Sequence, residues 1–255
     1  MGKLGRILFG VAMLGFATLY VIYATHRGGP IPGPPWKPAS TTLSYVTAVV
    51  LLITGACLAT DRLARIAAGV LSALFLFHFA FVHFPELVRQ LHNPGPWTSS
   101  FEILGLCGGA MVMAVAMEGR SQNSIEAALT NVGCLFFAAL MIVVGVQHFL
   151  YAQFVSTLIP GWIPARVFLA YFVGVAFFAV ALSMITHVMR HLAAMLVGIM
   201  FVIFVAILHA PRVAHMLNNG NEWTSLFVAL AMAGGSFAIA AATTTAQPGR
   251  AGRGR

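Results

Sequence analysis

Runs of about 20 mainly apolar residues, uncharged but for Glu102 in one of them, recur along almost the whole chain, each long enough to cross the hydrocarbon core of a bilayer. They lie at 7–24, 43–60, 66–84, 99–117, 127–152, 167–186, 192–210 and 224–242. A backbone in lipid must satisfy its own polar groups, so these runs are expected to be helices. The sequence therefore predicts an all-α integral membrane protein with eight transmembrane helices. Composition points the same way: 60% of the 255 residues are hydrophobic and 8% are charged, more apolar surface than a soluble domain could hide.

A second pattern organises the helices. His83-Phe84-Pro85 is answered by His209-Ala210-Pro211, and Trp97-Thr98-Ser99 by Trp223-Thr224-Ser225, both 126 residues apart. The same offset carries Pro34, Trp36 and Pro38 onto Pro160, Trp162 and Pro164, Tyr45 onto Tyr171, and Gly108-Gly109 onto Gly234-Gly235. Each repeat holds four helices. An even number returns the chain to its starting side, so two parallel four-helix-bundle repeats are predicted, related by an axis along the membrane normal. The expected divisions are a first repeat at 1–118, an inner linker at 119–126, a second repeat at 127–243 and a disordered basic tail at 244–255. Lys3 and Arg6 before an apolar run imitate a signal peptide, but the corresponding helix five lies mid-chain, so helix one is expected to stay in the fold.

Lys3, Arg6, Arg62, Arg65, Arg120, Arg190, Arg250, Arg253 and Arg255 fall on one side of this topology, against Arg27, Lys37, Arg89, Arg166 and Arg212 on the other, which predicts cytoplasmic termini. The net charge of +8 is thereby explained by topology; no basic stripe suggests nucleic acid. All four Trp and all five Tyr fall at outer helix ends or in outer loops. Interfacial anchoring would account for them but would populate both interfaces; the alternative is that some line an outward-facing cavity. The outer segments IPGPPWKP and IPGWIP are proline-rich and are expected to be ordered caps.

Little suggests self-sufficient catalysis. Cys57, Cys107 and Cys134 lie in different predicted helices without a CxxC, and the twelve Met residues form no MxxM cluster that would suit copper. No GxSxG, HExxH or P-loop is present, and no metal site is expected. Ionisable side chains within a membrane are the first functional candidates, and here they are mostly histidines. His83 and His209 each precede by two residues a proline expected to end its helix. Helical spacing places His83 on a face with Ser72, Leu76 and Ala80, and His209 on one with Gly198, Val202 and Ala206. Pointing inward, these imidazoles could meet a metal, a haem, a quinone carbonyl or a backbone oxygen; haem ligation is disfavoured. His78, five residues before His83, would be turned roughly 140° from it on an α-helix. Gln147 and His148 have no polar counterparts, since the first repeat holds Val21 and Ile22 there, and such asymmetry marks the second repeat as the one that kept a site. Glu102 reads as half of a capping box with Ser99, and the Trp-Thr-Ser motifs read as helix caps.

GVQHFLY at 145–151, IPGWIP at 159–164 and AYFVGVAFFAVAL at 170–182 resemble the DoxX-like family of four-helix membrane proteins. The resemblance covers helices five to eight and extends weakly to the first repeat, as a fused double unit. It implies a bacterial inner-membrane location and association with quinone-linked redox physiology. Many relatives carry a Glu after the helix-two glycine where this chain has Ala176, Phe177 and Phe178, so no role of that carboxylate carries over.

The leading expectation is an accessory membrane subunit that binds a hydrophobic ligand, quinone or lipid, in a cavity open to the outer leaflet. His148, Gln147, His83, His209, Trp97 and Trp223 would line it, with His78 and Glu102 as further candidates. A membrane or redox protein would be its partner. The alternatives are a membrane subunit of a quinone-linked oxidoreductase complex and, third, a small-solute transporter, which lacks the broken helices and midplane charges of such proteins.

Overall fold

A computed structural model of the chain describes residues 2–23, 41–116 and 122–244. The IPGPPWKP loop, most of the first half of the inner linker (119–121) and the tail from 245 onward lie outside them. Among the described residues every regular element is helical. The helices are α1 Gly2–Tyr23, α2 Thr41–Ala59, α3 Ala64–His78, α4 Phe84–Arg89, α5 Pro94–Val115, α6 Ser124–Leu150, α7 Ala152–Leu158, α8 Arg166–Thr186, α9 Arg190–Phe204, α10 Ala210–His215 and α11 Gly220–Thr244. A π-helical turn at Phe79–His83 joins α3 to α4, and another at Val205–His209 joins α9 to α10. Counting α3–α4 and α9–α10 as continuous, eight helices are long and apolar enough to cross a membrane.

The π-turns correct the expectation that Pro85 and Pro211 end their helices. A proline inside a helix lacks a donor, and its ring collides with the carbonyl four residues back. A π-turn widens the helix at that point: the Phe84 amide bonds to the Phe79 carbonyl and the Ala210 amide to the Val205 carbonyl, five residues back, so the helices continue to Arg89 and His215.

Two other helix starts lie earlier than the apolar pattern suggested. The α5 helix begins at Pro94, where proline suits the first turn, and Asn93 caps it by accepting from the Gly95 amide at 3.1 Å. The α11 helix begins at Gly220. Trp-Thr-Ser therefore lies inside the first turns and caps nothing: Thr98 and Thr224 donate to the carbonyls of Pro94 (3.0 Å) and Gly220 (2.8 Å). Ser99 donates to Pro96, so the expected Ser99–Glu102 capping box is absent. A capping box does open α6, between Asn123 and Glu126.

Packing runs around the molecule through neighbouring helices. The α1 helix lies between α2 and α11, α5 lies between α3 and α6, and α5 and α11 meet each other. Glycines permit the closest approaches. A Cβ on Gly5 would sit 2.7 Å from the Gly234 carbonyl oxygen, one on Gly133 would sit 2.6 Å from that of Gly108, and Gly109 faces Gly235 across the α5–α11 contact. Both cysteines resolved as buried, Cys107 and Cys134, are free, and Cys107 donates to the Ser72 carbonyl.

Candidate functional site

The end of the molecule carrying Trp97 and Trp223, here the tryptophan end, holds most of the buried polar groups of the first four spans. Ser44 and Thr47 on α2, His78 and His83 at the π-turn, Ser100 on α5, and Tyr20 and Tyr23 on α1 are all buried. Of these, Ser44, Thr47 and Ser100 were not singled out from sequence, and Tyr20 and Tyr23 only as members of the aromatic set at the outer helix ends. A signal for them was present: 126 residues on, the chain has Ala170, Val173, Leu226, Val146 and Phe149, all apolar.

The π-turn brings the two histidines together on one inward side. Five residues on an α-helix would turn His83 well away from His78, but i→i+5 bonding makes five residues roughly one turn. His78 is 1% exposed and His83 4%, whereas Leu76 and Ala80, expected to share the face of His83, are exposed. Val202 and Ala206, expected beside His209, are exposed as well.

Hydrogen bonding fixes the state of His78. Its Nδ1 lies 2.9 Å from the Leu74 carbonyl oxygen, which only accepts, so Nδ1 carries the proton and Nε2 of the neutral ring offers a lone pair. The Thr47 hydroxyl faces that Nε2 at 3.4 Å. Ser100 donates to the backbone carbonyl of His83 at 3.2 Å. Among the described residues the buried Nε2 of His83 has no hydrogen-bond partner, nor has Nδ1 of His209. A buried polar nitrogen left unpaired costs about 1–3 kcal/mol, so natural structures pair nearly all of them with protein, water or ligand.

The other expected site residues are dispersed. Gln147 fastens α6 to the start of α5, accepting from Thr98 at 3.0 Å and donating to the Pro94 carbonyl at 3.1 Å. His148 donates from Nδ1 to Val144 at 2.7 Å and sets its ring edge against Phe177. The indoles of Trp97 and Trp223 donate to Leu91 and Leu217, each at 2.9 Å, and stack on Phe101 and Phe227. Both tie a preceding loop to a helix start. Glu102 is half-buried on the face of α5 that carries Gly109. The first π-turn packs against α3, α4 and α5 and the second against α9, α10 and α11, so His83 and His209 belong to different neighbourhoods. Among the described residues no three His, Cys, Asp or Glu side chains gather as a metal site.

Residues 137–244 match the model of a family described as a domain of unknown function, DUF8561. The match runs from the middle of α6 to the end of α11. No curated protein and no solved structure matches the chain.

Near His209, Arg212 grips Glu222 with two bonds, Nε to Oε2 at 2.8 Å and Nη2 to Oε1 at 2.6 Å. The Glu222 side chain is 9% exposed and that of Arg212 30%. Glu222→Gln is expected to lower stability by about 1–2 kcal/mol, less than the ~3–5 kcal/mol of a fully buried pair because water still reaches the guanidinium. Thermal unfolding in detergent checks this; an unchanged transition would show the pair to be incidental.

Proposed function

We propose that the chain is a DoxX-like protein of two parallel four-helix units that binds a hydrophobic ligand, a quinone or a lipid, at a site open to the outer leaflet. The tandem arrangement is supported by contacts that recur at the 126-residue offset. The π-turns, the Trp97–Leu91 and Trp223–Leu217 bonds, and the Gly109–Gly235 contact all obey it. At the opposite end, Arg65 donates to Ala114 and His191 to Ala240, again 126 apart at both partners. The pseudo-twofold axis would pass between Gly109 and Gly235. With both termini in the cytoplasm of a bacterium, the tryptophan end faces the outer leaflet of the inner membrane, and an accessory role beside a membrane or redox partner follows from the DoxX resemblance.

One observation carries the ligand reading: His83 presents a buried, unpaired ring nitrogen among hydroxyl and imidazole groups inside a membrane span. Ionisable groups inside a membrane are rare, face the bundle interior and commonly mark ligand or ion sites. Few polar groups against an apolar wall is also the usual composition of a small-molecule site. Mass spectrometry of detergent-purified protein is expected to find a quinone or a lipid at near-stoichiometric level, and the visible spectrum to lack a haem band. Protein that is pure, folded and free of any such molecule would sink the reading.

A further inference from the structure

The two sets of four spans share a backbone plan but differ in polarity at the tryptophan end. In the second set the α8–α9 seam is filled by rings, with Phe177 6.0 Å from Phe201 and Phe201 6.1 Å from Phe204. Phe204 stands where the first set has His78, and Val173 where it has Thr47. In the first set the α2–α3 seam is occupied instead by the Thr47–His78 contact, with His83 buried beside it in the π-turn that packs against α3, α4 and α5. On its outward side Phe77 and Phe81 are exposed, their rings 5.0 Å apart. Within each set, this seam joins the least closely packed of the neighbouring long helices.

The chemistry of the seam is narrow. His78 Nε2 accepts, His83 Nε2 has no partner, and neither Thr47 nor Ser100 carries a charge. Among the described residues no lysine or arginine bonds to any of these four. Among the described residues a phosphate brought here would lose its water and find no cation bonded to the seam, whereas a hydroxyl both donates and accepts and so can pair with a neutral imidazole of either tautomer.

We propose that the α2–α3 seam, and not the α8–α9 seam, takes one neutral, hydroxyl-bearing amphiphile per chain. Its hydroxyl pairs with His78 and His83, and its apolar body passes between Phe77, Phe81 and α2 toward the lipid. The proposal rests on the ligand-binding reading above and narrows it to one site and one head-group class.

Native mass spectrometry of the full chain tests it, with 2-decylhydroquinone as the probe and dioleoylphosphatidylglycerol as an anionic competitor. The expected result is one hydroquinone per chain that the anionic lipid does not displace. Thr47→Val with His78→Phe copies the side chains of the second set and should weaken binding roughly tenfold or more, the worth of one or two lost hydrogen bonds. His83→Ala removes the unpaired nitrogen without adding bulk and should weaken binding similarly, should the double variant fail to fold. His209→Phe should leave the affinity unchanged. Two hydroquinones per chain, displacement by the anionic lipid, equal loss in His209→Phe, or full affinity in both seam variants would overturn the proposal alone. So would uptake of lipid without hydroquinone. A wild-type chain that takes up neither molecule overturns the ligand-binding reading together with it.

Discussion

Gly234→Leu is expected to drive α11 off α1 and to leave little folded protein after detergent extraction. A Cβ at residue 234 would lie 2.7 Å from the Gly5 carbonyl oxygen, 2.7 Å from the Phe9 amide nitrogen and 3.0 Å from Phe9 Cβ. Two of those three atoms are backbone, so no rotamer change can relieve the clash and the helices must separate. Overpacking a close contact costs about 1–3 kcal/mol even where side chains can move. Here it also removes the dispersion contacts that hold helices together in lipid, where no hydrophobic gain compensates. Gly133→Leu, against the Gly108 carbonyl and Val112, should behave alike at the α5–α6 contact. Gly161→Leu is the control, since no atom lies within 4 Å of a Cβ there. Size-exclusion profiles of the three variants decide the matter; a monodisperse Gly234→Leu protein with an unchanged melting temperature would contradict this packing.

The second large effect is expected at Arg190, which is 7% exposed at the start of α9. Its Nε and Nη2 donate to the Met184 carbonyl at 2.9 and 2.5 Å, and its Nη1 donates to Asn131 Oδ1 at 2.6 Å. One guanidinium thus closes the turn between α8 and α9, where His187 and Met189 both hold positive φ, and ties that turn to α6. Hydrogen bonds to a charged group are worth about 1.5–3 kcal/mol each, and the Met184 carbonyl would be stranded. Arg190→Leu should therefore cost about 3 kcal/mol. Arg190→Lys should recover only part, because an ammonium cannot reproduce the planar fork. A chemical-denaturation series in detergent would read this ordering; equal stability of all three proteins would show the fork to be dispensable.

The eight spans were legible because lipid forces long apolar runs to be helices, and all eight helices overlap their expected ranges. Their ends were less so. Pro94, Gly95 and Pro96 read as a loop by composition, yet Asn93 and a proline at the first helical position start α5 there. The π-turns were invisible to a 3.6-residue period. Because one inserted residue re-aims everything after it by about 100°, the same blindness misplaced His83 relative to His78 and put Leu76 and Ala80 on the wrong face. The asymmetry argument pointed to the second half, where the two residues it singled out are engaged in local contacts. Gln147 and His148 lack polar counterparts, yet Gln147 is consumed by Thr98 and Pro94, and His148 packs against Phe177. The larger asymmetry, hydroxyls and His78 in the first half against Val173, Phe204 and Leu226 in the second, spans three helices and becomes a cluster only once they are folded together.

That cluster is the centre of the account, and the most direct test of it is an electron cryomicroscopy map of the protein reconstituted in bilayer discs with native lipid extract. The account predicts non-protein density in the α2–α3 seam, within hydrogen-bonding distance of His83 Nε2 and extending past Phe81 to the lipid, and none in the α8–α9 seam. A seam closed by protein side chains, or holding a single water at His83, would contradict it.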